Sequence, residues 1–438
     1  MTEQATDRAT DCRERARFAL DRGDAALAEQ SFTRLLDIEP GDLEALQFLA
    51  ACHFERGEPT RAIEHLQQAH RAHPREPGLL HQLGTVRMAL ADYAGAAADL
   101  DKALALAPGM FVARLRLGVA LEQLGQSHDA LVAYFAAISA AQAQGRWLAD
   151  ETTAPGIRAA VRHAMRHVDA GRHALFDGML EPLRERYGRS ELRRVEQCLA
   201  IYLREQPANL PDPRQQPKFL YFPGIPSRTY YPRERFPEFE ALEAGTAAIR
   251  AELRAVLEQP RDLEAFLKTD TPEQLETMLR GSGTQQAAWD AYFFYRHGQR
   301  YDAHCAACPK TTALIERMPL SRIREHGPET LFSVLRPGTH ILPHRGVTNT
   351  RLVAHLPLIV PKDCALNVGG EIHAWQEGRC VIFDDTFEHE AWNRSEQTRV
   401  VLIMDCWNPD LSEAERAAVA ALVAGIGDFN RSCGLPGD

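Results

Sequence analysis

Two histidines and an arginine carry the strongest chemical signal in this chain. His344 stands in Pro343-His344-Arg345-Gly346-Val347-Thr348-Asn349. His389 stands in Phe383-Asp384-Asp385-Thr386-Phe387-Glu388-His389-Glu390-Ala391-Trp392-Asn393, 45 residues later. Arg399 follows by ten within an apolar segment, Thr398-Arg399-Val400-Val401-Leu402-Ile403. Two imidazoles suit a non-haem Fe(II), which takes a small facial ligand set and leaves positions open for cosubstrate and dioxygen. An isolated arginine in an apolar strand is costly unless it is paired or faces a cavity. A carboxylate ligand would give it a bidentate partner.

Strands must position these groups. From Thr330 onward the hydrophobic pattern predicts strands at 331–335, 340–343, 351–358, 365–368, 371–375, 380–383 and 398–406, separated by Gly, Pro, Asn and Asp. Many short strands in so short a stretch suggest an all-β sandwich or barrel, the jelly-roll class included. A helix is expected at 412–426, with Ser412 as N-cap and Glu415 three residues on.

The N-terminal third is a repeat. Pro40, Pro74 and Pro108 are spaced by 34 residues. Ala16, Ala50, Gly84 and Gly118 keep the same register, as do Ala28, Ala62, Ala96 and Ala130, and Leu35, Ala69, Ala103 and Ala137. Each unit reads as two antiparallel amphipathic helices. Small residues sit where the helices cross closely, and the proline ends the second helix. The region 151–205 also reads as helix. There Arg184, Arg186, Arg189, Arg193 and Arg194 are expected to form a solvated face. Residues 206–218 form a proline-rich connection. Further helices are expected at 237–257 and near 272–279.

Composition bounds the function. The 438 residues are 45% hydrophobic and 25% charged, which excludes a disordered or collagen-like chain. No apolar run approaches membrane-spanning length, so no membrane association is expected. The net charge of -10 argues against nucleic acid as a partner. The N-terminus has no basic and apolar leader, and the nine cysteines are odd in number, so free thiols and a cytoplasmic location are expected. Cys305-Ala306-Ala307-Cys308 lacks a second pair at zinc-ribbon spacing.

Two resemblances sharpen this reading. Leu83-Gly84, Ala96 and Pro108 fall at the positions of the tetratricopeptide repeat, over roughly residues 9–142. Such arrays stack into a solenoid and commonly bind peptides or proteins. The region 331–409 resembles the catalytic domain of the aspartyl/asparaginyl β-hydroxylases. The matching residues are Pro337-Gly338-Thr339-His340, Pro343-His344-x-Gly346, Arg351-Leu352-x-x-His355-Leu356, Gly378, Phe383-Asp384-Asp385, His389-Glu390-x-Trp392 and Asp405-x-Trp407-x-Pro409-x-Leu411, with Ala307-Cys308-Pro309-Lys310-Thr311 upstream.

The resemblance implies a multidomain α + β chain. A tetratricopeptide array (9–145) precedes a helical segment and linker (146–217). A double-stranded β-helix, or jelly-roll, domain with flanking helices (218–438) follows. It implies an Fe(II)- and 2-oxoglutarate-dependent dioxygenase that uses O2 to hydroxylate the β-carbon of an aspartyl or asparaginyl residue in a peptide or protein, which the array would hold. His344 and His389 would be iron ligands. Arg399 and Ser333 would bind the distal carboxylate of 2-oxoglutarate, and His355 would lie near its other carboxylate. Asp385 would orient water at the metal.

Two departures stand out. Gly346 occupies the position where most iron oxygenases carry an acidic third ligand, although this family characteristically lacks that ligand. Val353 stands where animal members carry an arginine, which bears on one contact to a cosubstrate or substrate carboxylate. The blander readings remain beside these. Asp384 and Asp385 could cap a turn, Ser333 and His355 could be inward strand residues, and His304, His340 and His373 suit packing or surface roles. The alternative function is a non-catalytic, repeat-based binding protein whose β-domain is a metal-binding or degenerate sensor.

Overall fold

A computed structural model describes residues 3–259, 262–267, 276–281 and 287–435. The chain divides into two compact units, one built mainly from residues up to Arg172 and one from His173 to Asn430.

The first unit begins with eight helices: α1 (Glu3–Asp21), α2 (Ala25–Ile38), α3 (Leu43–Glu55), α4 (Pro59–Ala72), α5 (Pro77–Ala89), α6 (Tyr93–Leu106), α7 (Phe111–Gln123) and α8 (Ser127–Ala143). Helices α2, α4 and α6 start 34 residues apart, as do α3, α5 and α7. The residue before each repeat proline explains where the helices stop. Glu39, His73 and Ala107 have φ of -122°, -130° and -143°, outside the helical region that a following proline disfavours. The small residues sit at close crossings. A Cβ at Gly84 would lie 2.7 Å from Leu100 Cγ, and one at Gly118 would lie 2.5 Å from the Tyr134 ring. Ala28, Ala62, Ala96 and Ala130 are fully buried.

Helix α9 (Arg158–Tyr187) ends at Gly188, whose φ of +90° no helix accommodates, and α10 (Arg193–Tyr202) follows a short 3-10 turn. Of the expected arginine face, Arg186, Arg189 and Arg193 are exposed, Arg194 is half-buried, and Arg184 departs from it. Arg184 is buried and bonds Asp177, Glu181 and Glu196, the last two at 3.0 and 2.8 Å. A guanidinium in that position is held by three carboxylates rather than by water.

The second unit is built on two antiparallel sheets. The larger runs in the order β1 (Tyr230–Tyr231), β11 (Val381–Phe383), β8 (Arg351–Ile359), β13 (Arg399–Trp407), β6 (Thr330–Leu335), β4 (Trp289–Arg296), β2 (Glu264–Ala265), with β5 (Gln299–Arg300) beside β4. The smaller runs β10 (Glu371–His373), β9 (Cys364–Val368), β12 (His389–Asn393), β7 (Thr339–His344), β3 (Leu279–Gly281). Phe383, Val401, Leu335 and Val353 of the larger sheet share a core with Leu366, Val368, Ile341 and Ala391 of the smaller one. The outer face of the larger sheet packs on α11 (Phe239–Ala244), α12 (Thr246–Glu258), α13 (Asp302–Ala307) and α14 (Pro309–Ile315).

Most expected strands are present with shifted ends. The strand at His389–Asn393 was not anticipated, nor were those before Thr330. The helix expected at 237–257 breaks at Gly245, where a Cβ would overlap Leu314 Cδ1. Of the helix expected near 272–279, residues 272–275 lie outside the described residues, and Leu279 belongs to a strand. The closing helix α15 (Glu413–Ser432) starts with the anticipated reciprocal cap. Ser412 Oγ accepts from Glu415 N at 3.2 Å, and Glu415 Oε2 accepts from Ser412 N at 2.9 Å. Gly369 and Gly370 form the hairpin turn between β9 and β10, both at positive φ. All nine cysteines are free, and burial pushes the Cys308 thiol up to about 12. Among the described residues no helix is long and apolar enough to cross a membrane.

The crossing at Gly118 sets a test. Tyr134 is pinned at both ends, because its hydroxyl donates to Glu122 Oε2 at 2.6 Å. Gly118→Ala is expected to destabilise the protein by about 1–3 kcal/mol through overpacking, despite the helix-propensity gain. Gly109→Ala, with open space around it, serves as the control. Chemical denaturation of both variants measures the difference.

Candidate functional site

The site is set by the pleat of three strands. Successive residues of a strand point to opposite faces. On β13 the even-numbered Val400, Leu402, Met404 and Cys406 enter the helix-covered core, while Arg399, Ile403 and Asp405 line an internal cavity. On β8, Leu352, Ala354 and Leu356 enter that same core, while Arg351, Val353 and His355 face the cavity. On β6, Phe332 and Val334 pair with the core, and Leu331 and Ser333 with the cavity. Cross-strand register then brings Ser333 opposite Val401 and His355 opposite Ile403.

The cavity holds about 170 Å³. His344, His389, Asp385, Arg399, Ser333 and His355 all line it, so the six residues singled out in the sequence share one space. His344 and His389 are register partners on β7 and β12, with ring centroids 4.1 Å apart. His344 Nδ1 is 2.8 Å from Leu342 O, and His389 Nδ1 is 3.1 Å from Phe387 O. A carbonyl only accepts, so each Nδ1 carries the proton and each Nε2 keeps its lone pair. Burial lowers the pKa of His344, and burial with His344 alongside lowers His389 to about 4. Both rings are therefore neutral near pH 7, the form that binds a metal.

Asp385 explains the glycine at the expected acidic position. A Cβ on Gly346 would overlap the Asp385 carboxylate. The carboxylate thus occupies the space that a longer residue at 346 would need. It is held by an ion pair from Arg351 Nη2 to Asp385 Oδ2 at 3.0 Å. Arg351 Nη1 also reaches Asp405 Oδ1 at 3.0 Å. Asp385 Oδ1 is buried and has no hydrogen-bond partner among the described residues. Burial raises Glu329 beside this network to about 7.

Arg399 is different from Arg351. It is 2% exposed, and among the described residues it has no carboxylate partner. Its Nη1 lies 3.4 Å from Ser333 Oγ, its guanidinium sits 4.8 Å from the Trp375 ring centroid, and its Nε has no partner. Burial lowers its pKa to about 10. Ser333 Oγ also accepts from Trp289 Nε1 at 2.9 Å. His355 is buried between Trp375 and Phe383, its Nδ1 is unpartnered, and burial beside Arg399 holds it well below its ordinary pKa.

These donors fit an Fe(II) and a dicarboxylate cosubstrate. Two neutral imidazoles, a buried carboxylate oxygen in need of a donor and an unpaired buried guanidinium are together the complement of such a pair. Outside the cavity, a cleft of about 440 Å³ is lined by Arg214, Arg345, Gly369, Glu388 and His389. His389 and Glu390 border both spaces.

Relatives decide the family. A family model described as aspartyl/asparaginyl beta-hydroxylase matches residues 243–409, and a tetratricopeptide-repeat model matches residues 19–84. Aspartate beta-hydroxylase domain-containing protein 2 of Xenopus tropicalis is 30% identical over 59% of this chain and 67% of its own length. The chain belongs to the aspartyl/asparaginyl β-hydroxylase family. The human aspartyl/asparaginyl beta-hydroxylase is 35% identical over 42% of this chain, but the match spans only 23% of that protein. Ornithine lipid ester-linked acyl 2-hydroxylase of Rhizobium tropici is 36% identical over 42% of this chain and 62% of its own length. As a member of the β-hydroxylase family the chain is supported as a hydroxylase, and its repeats support binding of protein or peptide.

Sequence reasoning missed Arg351, Asp405 and Glu329 as a linked charge network, and Trp289 and Phe266 as cavity walls. The signal for Arg351 and Asp405 was present. They share the odd-numbered face with His355 and Arg399, on strands whose even positions are apolar throughout. Elsewhere His340 Nε2 bonds Glu390 Oε2 at 2.7 Å and His304 Nδ1 bonds Phe293 O at 2.7 Å, as packing roles require.

The depressed His389 pKa predicts a pH dependence. The folded state keeps this ring neutral down to about 4, whereas the unfolded chain protonates it near 6.5. The unfolded state binds more protons in that window, so stability falls as pH drops from about 6.5 to 4. His389→Asn is expected to flatten this slope in melting temperatures measured across the range.

Proposed function

We propose that the chain is an Fe(II)- and 2-oxoglutarate-dependent dioxygenase that hydroxylates the β-carbon of an aspartyl or asparaginyl residue in a peptide or protein, with the repeat array binding the polypeptide. One observation carries the reading. Arg399 is a buried guanidinium that has no carboxylate partner among the described residues, in the same cavity as two imidazoles whose Nε2 atoms are free to bind a metal. A buried unpaired cation is strongly unfavourable unless a ligand completes it. A dicarboxylate that chelates a metal at one end and reaches Arg399 at the other would do so.

His344 and His389 would hold the iron through Nε2. Arg399, with Ser333 beside it, would bind the distal carboxylate of 2-oxoglutarate, and His355 would lie near the other carboxylate. Asp385, fixed by Arg351, would accept a hydrogen bond from water in the site through its free Oδ1. Leu331, Ile341, Val353, Leu366 and Ile403 give the cavity apolar walls, which strengthen these polar contacts by excluding water. When bound, the iron and cosubstrate supply the oxidising chemistry: O2 is consumed, 2-oxoglutarate gives succinate and CO2, and one oxygen atom enters the target C–H bond. In the repeat array, Arg116 contacts His81 and Thr85 and is half-buried, and among the described residues it has no carboxylate ion-pair partner, which suits an acidic polypeptide.

The Rhizobium relative supports a second substrate reading, an acyl chain hydroxylated at its 2-position. The two targets share chemistry. Each is a methylene next to a carbonyl or carboxyl group, and the cleft outside His389 is bordered by Arg214 and Arg345, which are ion-paired with Asp212 and Glu388.

Succinate release from 2-oxoglutarate with Fe(II) and O2 tests the proposal, run with Asp- and Asn-containing peptides in one arm and an ornithine lipid in another. Peptide-stimulated turnover that is lost in His344→Ala and His389→Ala is expected. Arg399→Met is expected to raise the KM for 2-oxoglutarate about 10- to 100-fold, from about 1.5–3 kcal/mol for hydrogen bonds to a charged group. Stimulation by the lipid alone selects the second substrate. A wild type that binds no iron and releases no succinate sinks the enzyme and leaves a repeat-based binding protein.

A further inference from the structure

A second cluster of metal-ligating side chains lies in the first unit. His163 and His167 are one turn apart on α9, so both rings project from one face of that helix. Glu122, in the last turn of α7, reaches both. Its Oε2 is 2.8 Å from His163 Nε2, and its Oε1 is 3.4 Å from His167 Nδ1. The three ligand atoms lie within 4.8 Å of one another. A tetrahedral ion with bonds of about 2.1 Å holds its ligands roughly 3.4 Å apart, so little movement would gather them around one centre.

The surroundings point the same way. Tyr134 is buried, and its hydroxyl donates to Glu122 Oε2 at 2.6 Å, which fixes the carboxylate from behind. Its ring also meets both imidazoles edge-on, with centroids 6.1 and 5.2 Å away. Among the described residues no lysine or arginine pairs with Glu122, so its ionic partners are the two imidazoles alone. The C-terminal end of α7 carries a partial negative charge that also favours a cation. The His163 side chain is 47% exposed, which leaves water access to a fourth position.

We propose that Glu122, His163 and His167 bind a borderline divalent cation of the zinc class, separate from the His344–His389 pair, and that the ion ties the last repeat pair to α9. Two imidazoles and one carboxylate are a ligand set that such ions accept, with water as the fourth ligand. The bound ion would clamp α9 against the end of the array and raise the thermal stability of this unit.

The test uses the full chain carrying His344→Ala and His389→Ala, so that the other histidine pair cannot contribute. The protein is stripped with a chelator and titrated with Co2+, then with Zn2+. Binding of about one equivalent of Co2+ with the intense visible absorption of tetrahedral coordination is expected, displaced by Zn2+, together with a rise in melting temperature. Adding His163→Ala and His167→Ala should abolish both signals, and Glu122→Gln should weaken binding roughly tenfold or more. Circular dichroism reports whether the variants fold, and Glu122→Gln, which keeps the side-chain shape, carries the test if the double histidine variant does not. Binding that is absent in the parent, or unchanged in Glu122→Gln, overturns the proposal.

Discussion

The two-residue pleat of β6, β8 and β13 is the constraint on which the catalytic unit depends. Each strand is covered on both faces, by helices on one side and by the smaller sheet on the other. The helix-facing positions are apolar without exception along the core of β13 and β8, and that burial fixes the register. A slip of one residue would drive Arg399, Arg351, His355 and Asp405 into an apolar core. The hydrophobic face therefore specifies where the polar face points. The cavity inherits its geometry from packing that has no chemistry in it.

Within the cavity, charge is distributed unequally. Arg351 sits between Asp385 and Asp405, with Glu329 close by, so its positive charge is matched by carboxylates of the protein itself. Among the described residues Arg399 pairs with no carboxylate, and a serine hydroxyl and an indole ring lie against its guanidinium. The same residue type is thus structural at one position and in need of a ligand at the other. Between them the two imidazoles are kept neutral by burial and oriented by backbone carbonyls. Each orienting carbonyl lies two residues before its histidine, so the local backbone presents the Nε2 atoms.

The repeat unit is held by a different logic. Its stability rests on small residues at helix crossings and on prolines that halt every second helix in step. Substituting Gly84 or Gly118 adds volume where Leu100 and Tyr134 already fill the space. Tyr134 also links this packing to a polar cluster, since the ring that fills the Gly118 notch carries the hydroxyl that holds Glu122.

Much of this was legible in the sequence because its signals are local or periodic. The 34-residue register fixed the helix pairs, since proline acts on the residue before it. The family resemblance carried by the motifs around His344 and His389 marked six of the residues that line the cavity. Alternation located the long strands. The tertiary structure alone decided what depends on distance through space. That Asp385 fills the space above Gly346 joins residues 39 apart, and no period connects them. That Arg184, whose position suggested a solvated face, gains a third carboxylate beside Asp177 and Glu181 of its own helix follows from where α10 returns Glu196. The strand at His389–Asn393 is short and polar, so it exists because β7 and β9 flank it rather than because its residues favour it. Pattern along a chain records which residues are buried; only the fold records what they are buried against.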